Sequence, residues 1–530
     1  MNRLLTSVIC GLVGINAVLA ADPSRPRIVV GIMVDQLRSD YVESLQNLFG
    51  EKGFKKLIKD GAWLKNVDFK VGGLDKASGT AMIYTGSYPR ANGIAGSKVY
   101  DPTAQTMKPA LNDPNSIGNF TTETYSPAGL RLSTVSDEIA IDGAGVAAVY
   151  AIAPDAQQAI IMAGHAGNSA FWINDNTGKW ATTTYYRDTP KTLTQRNYSN
   201  SISARIDTME WKPALELSRY PGLPAQKRMY DFKHKFSLAD RNVYRSFAGS
   251  PLVNTEVTDV AIDVLKEINL GRRGDAIDML NVAYTAAPFK EVKDGDFRLE
   301  LQDSYVRLDG QLERLFDAID KYIGFDNAFI YLSSTGYYDD AVVDDPKYRV
   351  PTGEFSVKRA LSLLNSYLAA KYGNGNYVDT YSNGHVFLDR KQIEEHKLDL
   401  NDVAEAARDF LIRMSGVNDA FTMRDIMTSA LPGMEALRLG TDPKTGGDVV
   451  LEFLSGWRVN DDTRFPNEVK VVRSGAVLSP VFMMGQGVVP QTIDTPVDAT
   501  AIAPTITQIL RIRSPNGAYS KPLPLKQTRD

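Results

Sequence analysis

Short apolar runs alternate with amphipathic helical stripes along this chain, and the alternation predicts an α/β protein. Residues 28–34, 146–152, 279–284, 328–333 and 481–484 are near-continuous apolar stretches of strand length. Strands read this way when helices cover both faces of a parallel sheet. Between them, Val257, Val260, Val264 and Ile268 recur at helical spacing behind Asn254, a candidate N-cap. Leu308, Leu312, Leu315 and Ile319 form a second stripe, and residues 497–510 read as a closing helix. These stripes are core-facing, which gives a mostly parallel sheet sandwiched between helices.

Two stretches interrupt the alternation, at about 163–224 and 389–451. The first is rich in Thr, Asn, Tyr and Gly and contains a hairpin signal over 171–180, with its turn at 175–178. The second opens with an acidic helix over 400–414 and continues through Pro/Gly-punctuated segments. Both read as insertions capping the C-terminal edge of the sheet, within one domain spanning 21–530. Trp172, Trp180, Tyr185, Tyr186 and Trp211 suit either an interaction surface or hairpins packed on the core.

Residues 1–20 add an address. Arg3, an apolar stretch over 4–18 and Val18-Leu19-Ala20 fit a secretory signal peptide. Polar Asn16 and the proline-rich residues 22–26 argue against a membrane anchor. The single cysteine, Cys10, lies inside this leader behind Ile9, which does not suit lipidation. A mature chain without cysteine fits a bacterial periplasm and excludes thiolate chemistry. Net charge is −4 and no Lys/Arg block occurs, so nucleic acid is not an expected partner, and no later run is long enough to span a membrane.

Two segments carry the chemical signal: Val34-Asp35-Gln36-Leu37-Arg38-Ser39-Asp40-Tyr41, and Gly79-Thr80-Ala81-Met82-Ile83-Tyr84-Thr85-Gly86-Ser87-Tyr88-Pro89-Arg90-Ala91-Asn92-Gly93-Ile94. With the blocks around His165, Tyr305 and Pro504 and the ending Arg513-Ser514-Pro515-Asn516-Gly517-Ala518, the chain resembles the alkaline phosphatase superfamily. The nearest branch is the bacterial periplasmic phosphatases related to nucleotide pyrophosphatase/phosphodiesterases. That resemblance implies two zinc-like ions on Asp and His ligands, with a Thr or Ser nucleophile between them.

Residue by residue, the implied centre is depleted. Asp35 occupies the first ligand position, as a metal ligand or as an inherited strand-end carboxylate. Lys76 stands at the nucleophile position, where its charge repels cations and no hydroxyl is offered; Asp75 is its expected local partner. Ser78 and Thr80 are substitutes displaced along the segment, and in-line attack loses on the order of 10²-fold for about 1 Å of misplacement. Ala286 and Lys290 stand where an Asp-x-x-x-His would supply two ligands, Thr335 and Gly336 where an Asp-His pair belongs, and Leu478 where the last His belongs. Asp339 and Asp340 are weak candidates for Mg²⁺ or Ca²⁺, or simply a solvated acidic loop. Asp155 and Gln157 fall where monoesterases of the branch carry Lys-x-Arg. Of the four histidines, His165 is expected to pack near Trp172 and Trp180, His234 and His396 to lie at the surface, and His385 to be structural.

Losing all of these together relieves the repulsion among ligands that no longer hold metal. The sequence therefore reads as a periplasmic pseudoenzyme without cofactor, binding an unidentified envelope protein or ligand. The alternative is an active phosphate-ester hydrolase, on phosphomonoesters or phosphodiesters, with a rebuilt site holding Zn or Mg/Ca at partial occupancy.

Overall fold

The computed structural model describes residues 25–526, apart from 102–103, 188, 222–230, 293–296, 340–352, 463–468 and 473–476. The leader at 1–20 and Asp340 lie outside the described residues. The main body is an 11-stranded mixed sheet between helices. Its principal strands are β1 (Ile28–Asp35), β2 (Ala62–Asp68), β3 (Val149–Ile152), β4 (Ser169–Ile173), β5 (Trp180–Thr183), β6 (Asp278–Thr285), β7 (Ala328–Ser334) and β8 (Ser479–Gly485). They lie in the order β2-β8-β7-β1-β6-β3-β4-β5, with β7, β1, β6, β3 and β4 mutually parallel.

Every residue of β1, β6 and β7 is buried, as their mostly apolar composition leads one to expect, and the polar residues among them lie chiefly at the strand ends. Register sets where these strands end. Asp35 pairs with Thr285, and Val34 with Ser334, so the three central strands end side by side. Their outgoing loops therefore converge at the C-terminal edge of the sheet, the usual place for sites in such folds.

Several sequence expectations shift on folding. The strand expected at 146–152 starts at Val149, because residues 143–146 form a turn with positive φ at Ala144 and Gly145, leaving Val146 exposed. Strand β8 runs antiparallel to β7, an orientation an apolar run does not encode. Asn254 is no cap. It lies inside the helix Leu252–Glu267, where its side-chain amide is bonded to both backbone polar groups of Thr285 at 2.9 Å. The closing helix is Ile502–Leu510; the residues just before it pair with β2 and form a 3-10 turn capped by Asp498.

The two supposed insertions are built differently from each other. In the first, β4 and β5 extend the main sheet, and the turn between them is held by Asn174, whose side chain accepts from the Asn176 and Thr177 amides. Trp172, Trp180, Tyr186 and Trp211 are buried in the cores on either side of the sheet, which leaves Tyr185 as the partly exposed member of that group. The second belongs to a larger lobe than 389–451. Phe355, Val357, Leu364, Leu368, Val403, Leu411, Val449 and Val459 share a separate core around a four-stranded antiparallel sheet. The helix Val357–Tyr372 buries its stripe there and not on the main sheet, so the lobe starts well before 389. It docks on the main body: the Asn383 amide donates to Gly73 O at 2.6 Å, and Arg131 pairs with the buried Asp442 at 2.6 Å.

Candidate functional site

The converging loops surround one carboxylate. Asp35, buried at the tip of β1, receives a hydrogen bond from the Thr335 hydroxyl at 3.1 Å and faces the Lys76 ammonium at 3.4 Å. The Tyr337 phenol lies beside the same network, where it accepts from the Gln36 side-chain amide at 3.4 Å and helps to hold the Asp35 pKa down. The amide of Ala286 donates to the Asp35 backbone carbonyl at 2.9 Å, so β6 is tied to the same point. Gln36 extends the network. Its backbone N–H donates to Thr335 Oγ1 at 3.0 Å, and its side-chain carbonyl accepts from the Asp339 amide at 2.8 Å.

Lys76 reaches this place because helix α1 (Lys76–Thr85) starts there. Its first turn is closed by a capping box in which the Asp75 side chain accepts from Ser78 N at 2.9 Å and the Ser78 hydroxyl accepts from Asp75 N at 2.9 Å. Asp75 also accepts from Ser97 N at 2.6 Å. It is therefore occupied by backbone, and the local Asp75–Lys76 pair expected from sequence gives way to the long-range pair with Asp35. Burial works against the Lys76 charge, but Asp35 and, beyond it, Asp155 and Asp175 outweigh that cost and push its pKa up. Burial pushes the Asp35 carboxyl above the ordinary carboxylate range, against the pull of Lys76, Tyr337 and Thr335.

The remaining positions have been taken up in local structure. The buried hydroxyl of Ser78 belongs to the capping box, and that of Thr80 donates to Lys76 O at 2.7 Å and accepts from Gln158. Lys290, well exposed, bridges to Asp339 at 3.4 Å. Gly336 has φ +81°, and a Cβ there would lie 2.5 Å from the ring of the buried Phe69. Phe69 thus fills the space into which a side chain at 336 would project. Gly79 is required for a related reason, since a Cβ on it would lie 1.9 Å from Thr335 O. Leu478 is partly exposed and contributes its carbonyl, which accepts from Ser39 N at 2.8 Å. Asp155 caps the helix Ala156–Ala163, and the Gln157 amide donates to Ser97 O at 2.8 Å.

The histidines stand apart from this cluster. His165 bonds Asp137 at 3.1 Å and Leu130 O at 2.9 Å, not the two tryptophans, and Asp137 raises its pKa. His234 is no surface residue. It bonds the buried Glu300 at 2.9 Å within a ring of Trp211, Phe232 and Phe289. His385 accepts from Gly447 N at 3.1 Å, and burial pulls it down to about 4. His396 is exposed and bonds Gln392.

A two-zinc centre does not fit these residues. Among the described residues, no three His, Cys, Asp or Glu side chains are placed to share a metal ion. The carboxylate at the first ligand position carries an ammonium on its outer oxygen. Sequence reading missed Tyr337 and Gln36; the Tyr337-Tyr338 doublet directly after the Thr335-Gly336 positions was the available signal. Among the described residues no helix is long and apolar enough to cross a membrane.

Alkaline phosphatase PafA of Elizabethkingia meningoseptica is 29% identical to this chain over 546 residues, covering 97% of each. Alkaline phosphatase PhoV of Synechococcus elongatus is 26% identical over 521 residues, covering 94% of this chain and 92% of the relative. The crystal structure of wild type PafA matches with a TM-score of 0.80 at 26% identity, covering 94% of this chain and 98% of that one. The sequence profile of the Type I phosphodiesterase / nucleotide pyrophosphatase family matches residues 29–474, and the chain belongs to that family.

Proposed function

We propose that this chain is a non-hydrolytic member of its family, exported to the periplasm and retained as a binding or scaffold protein of the cell envelope. The observation that carries this reading is the Lys76 ammonium 3.4 Å from Asp35, at the position where the family resemblance implies a nucleophile. A primary ammonium there offers no hydroxyl for attack and repels the divalent cations that would activate one. The negative charges of Asp155 and Asp175, which act on Lys76 in addition to Asp35, also disfavour a phosphate dianion.

A second reading, phosphate-ester hydrolysis at a rebuilt one-metal site, is favoured by the match to two alkaline phosphatases over nearly the full chain. Asp35, Asp339 and Asp340 would hold Mg²⁺ or Ca²⁺, and Ser78 or Thr80 would attack. One experiment separates the two. The purified mature protein is equilibrated with zinc and magnesium, desalted, analysed for metal, and assayed on p-nitrophenyl phosphate and bis-p-nitrophenyl phosphate. Negligible bound metal and no turnover are expected. Tightly bound ions with turnover abolished in Asp35→Ala would establish the hydrolase; turnover that survives Asp35→Ala would eliminate the rebuilt site.

A further inference from the structure

The replaced positions do not merely lack ligands; they act on the carboxylate that remains. Lys76 supplies its counter-charge, Thr335 donates to it, Ala286 bonds its backbone carbonyl, and Lys290 holds Asp339, whose own amide is bonded to the neighbouring Gln36. At Gly336 the space for a ligand side chain is filled by Phe69. Four chain segments meet here: the end of β1, the start of α1, and the loops leaving β6 and β7.

In a metal-bearing centre, divalent cations neutralise the carboxylates at such a junction and tie the loops together. A buried carboxylate deprived of its cation is strongly destabilising unless another positive charge takes the place. We infer that the Lys76 ammonium has taken over the structural duty of a divalent cation, as a built-in counter-ion that joins α1 to the tip of β1 and makes the fold independent of metal. This inference rests on the reading of the cleft as one without a two-metal centre, and it adds what the protein gained by the exchange. Lys76 is well suited to the task. Its side chain keeps 31% of its surface in water, so its own desolvation is partial, while Asp35 is almost fully enclosed.

The consequence is a competition between residue 76 and cations. With Lys76 in place, a divalent ion approaching Asp35 meets a fixed positive charge. With Lys76→Met, the length of the side chain is kept and the charge is lost, and Asp35 becomes an uncompensated buried carboxylate on the side that Lys76 faced. A double variant, Asp35→Asn with Lys76→Met, removes both charges and leaves Thr335 a neutral acceptor.

The test is thermal unfolding of the full mature chain and these two variants, each in chelator, with stoichiometric Zn²⁺, and with excess Mg²⁺ or Ca²⁺. The wild type should unfold at one temperature in all conditions. Lys76→Met should unfold several degrees lower in chelator and recover part of that loss with a divalent cation. The double variant should return towards the wild type without any metal. Wild-type unfolding temperature for Lys76→Met in chelator would overturn the inference, as would the absence of any cation response in that variant. If Lys76→Met does not fold, a folded double variant supports the inference and an unfolded one overturns it. The functional reading fails separately. Phosphoester turnover by the wild type sinks that reading, whereas a neutral Lys76→Met sinks only the counter-ion.

Discussion

Two buried carboxylates sit at opposite ends of the same sheet and are held in opposite ways. Asp278 opens β6, in register with Ile28 at the start of β1; Asp35 closes β1, in register with Thr285. Asp278 accepts from the backbone amides of Ala148 at 2.7 Å and Gly271 at 2.8 Å, with Arg273 at 3.7 Å as a partly exposed companion. Asp35 is held by the side chains of Lys76 and Thr335. Backbone donors exist whatever the side chains are, so the Asp278 end depends on the fold alone. Side-chain donors can be exchanged one residue at a time, so the chemistry at the Asp35 end can change while the strands beneath it stay put. The fold and the site are thus separable in this molecule, and the separation runs along the sheet from one edge to the other.

That contrast can be broken by mutation. The largest effect is expected for Asp278→Ala, which strands two buried amides at a cost of about 1–3 kcal/mol each; denaturant unfolding should show a loss of about 2–6 kcal/mol. A loss no greater than that of Asp35→Asn would end the comparison. Asp35→Asn should cost about 1 kcal/mol by the same measurement, because the ammonium it leaves behind keeps part of its surface in water, which limits what the pair contributes. The remaining carbonyl can still accept from Thr335, and the charges of Asp155 and Asp175 still favour the Lys76 ammonium.

The pH dependence sharpens the same contrast. Burial holds the Asp278 carboxyl above its ordinary value, against its two backbone hydrogen bonds. A raised folded pKa means that the folded state binds the proton more tightly. Its contribution to stability is therefore complete below the ordinary carboxylate pKa and is lost as pH rises through the folded value. Relative to Asp278→Asn, the wild type should become progressively less stable as pH rises through that window. A difference between the two proteins that stays constant with pH would refute the assignment. The smallest effect is expected for Leu478→His, at a partly exposed position that offers only its carbonyl to Ser39. Its unfolding free energy should change by no more than about 0.5 kcal/mol, and it should gain no metal response, since a single imidazole does not rebuild a centre in which Lys76 still faces Asp35.

Much of the architecture was legible because burial leaves a strong mark on composition. The runs at 28–34, 279–284 and 328–333 became the three central strands to within a residue or so at each end. What failed was information that a one-dimensional pattern does not carry. The run at 481–484 has the right composition for β8 but no sign of its antiparallel direction. The stripe of Val357, Ala360, Leu364 and Leu368 looks like any core-facing helix, and only its packing reveals that it belongs to the second lobe. Asn254 sits where a cap is plausible, yet its amide is bonded to Thr285, far along the chain. His234, among charged neighbours in sequence, packs against Trp211 and Phe289, which are brought from elsewhere in the chain.

At the site the division is the same. The sequence by itself determined which residue types stand at the converging loop ends: a carboxylate at 35, a lysine at 76, and alanine, threonine, glycine and leucine at 286, 335, 336 and 478. Motif spacing along a single strand or loop is enough for that. Only the tertiary structure decided what those residues do to one another. Lys76 passes over adjacent Asp75, whose carboxylate is taken by backbone amides, and reaches Asp35 from another segment; Phe69 closes the space beside Gly336; and Tyr337 joins the cluster through Gln36. The reason is physical. Charge pairing and steric filling depend on separation in space, and the in-register ends of three parallel strands bring together groups that lie up to 300 residues apart in the chain.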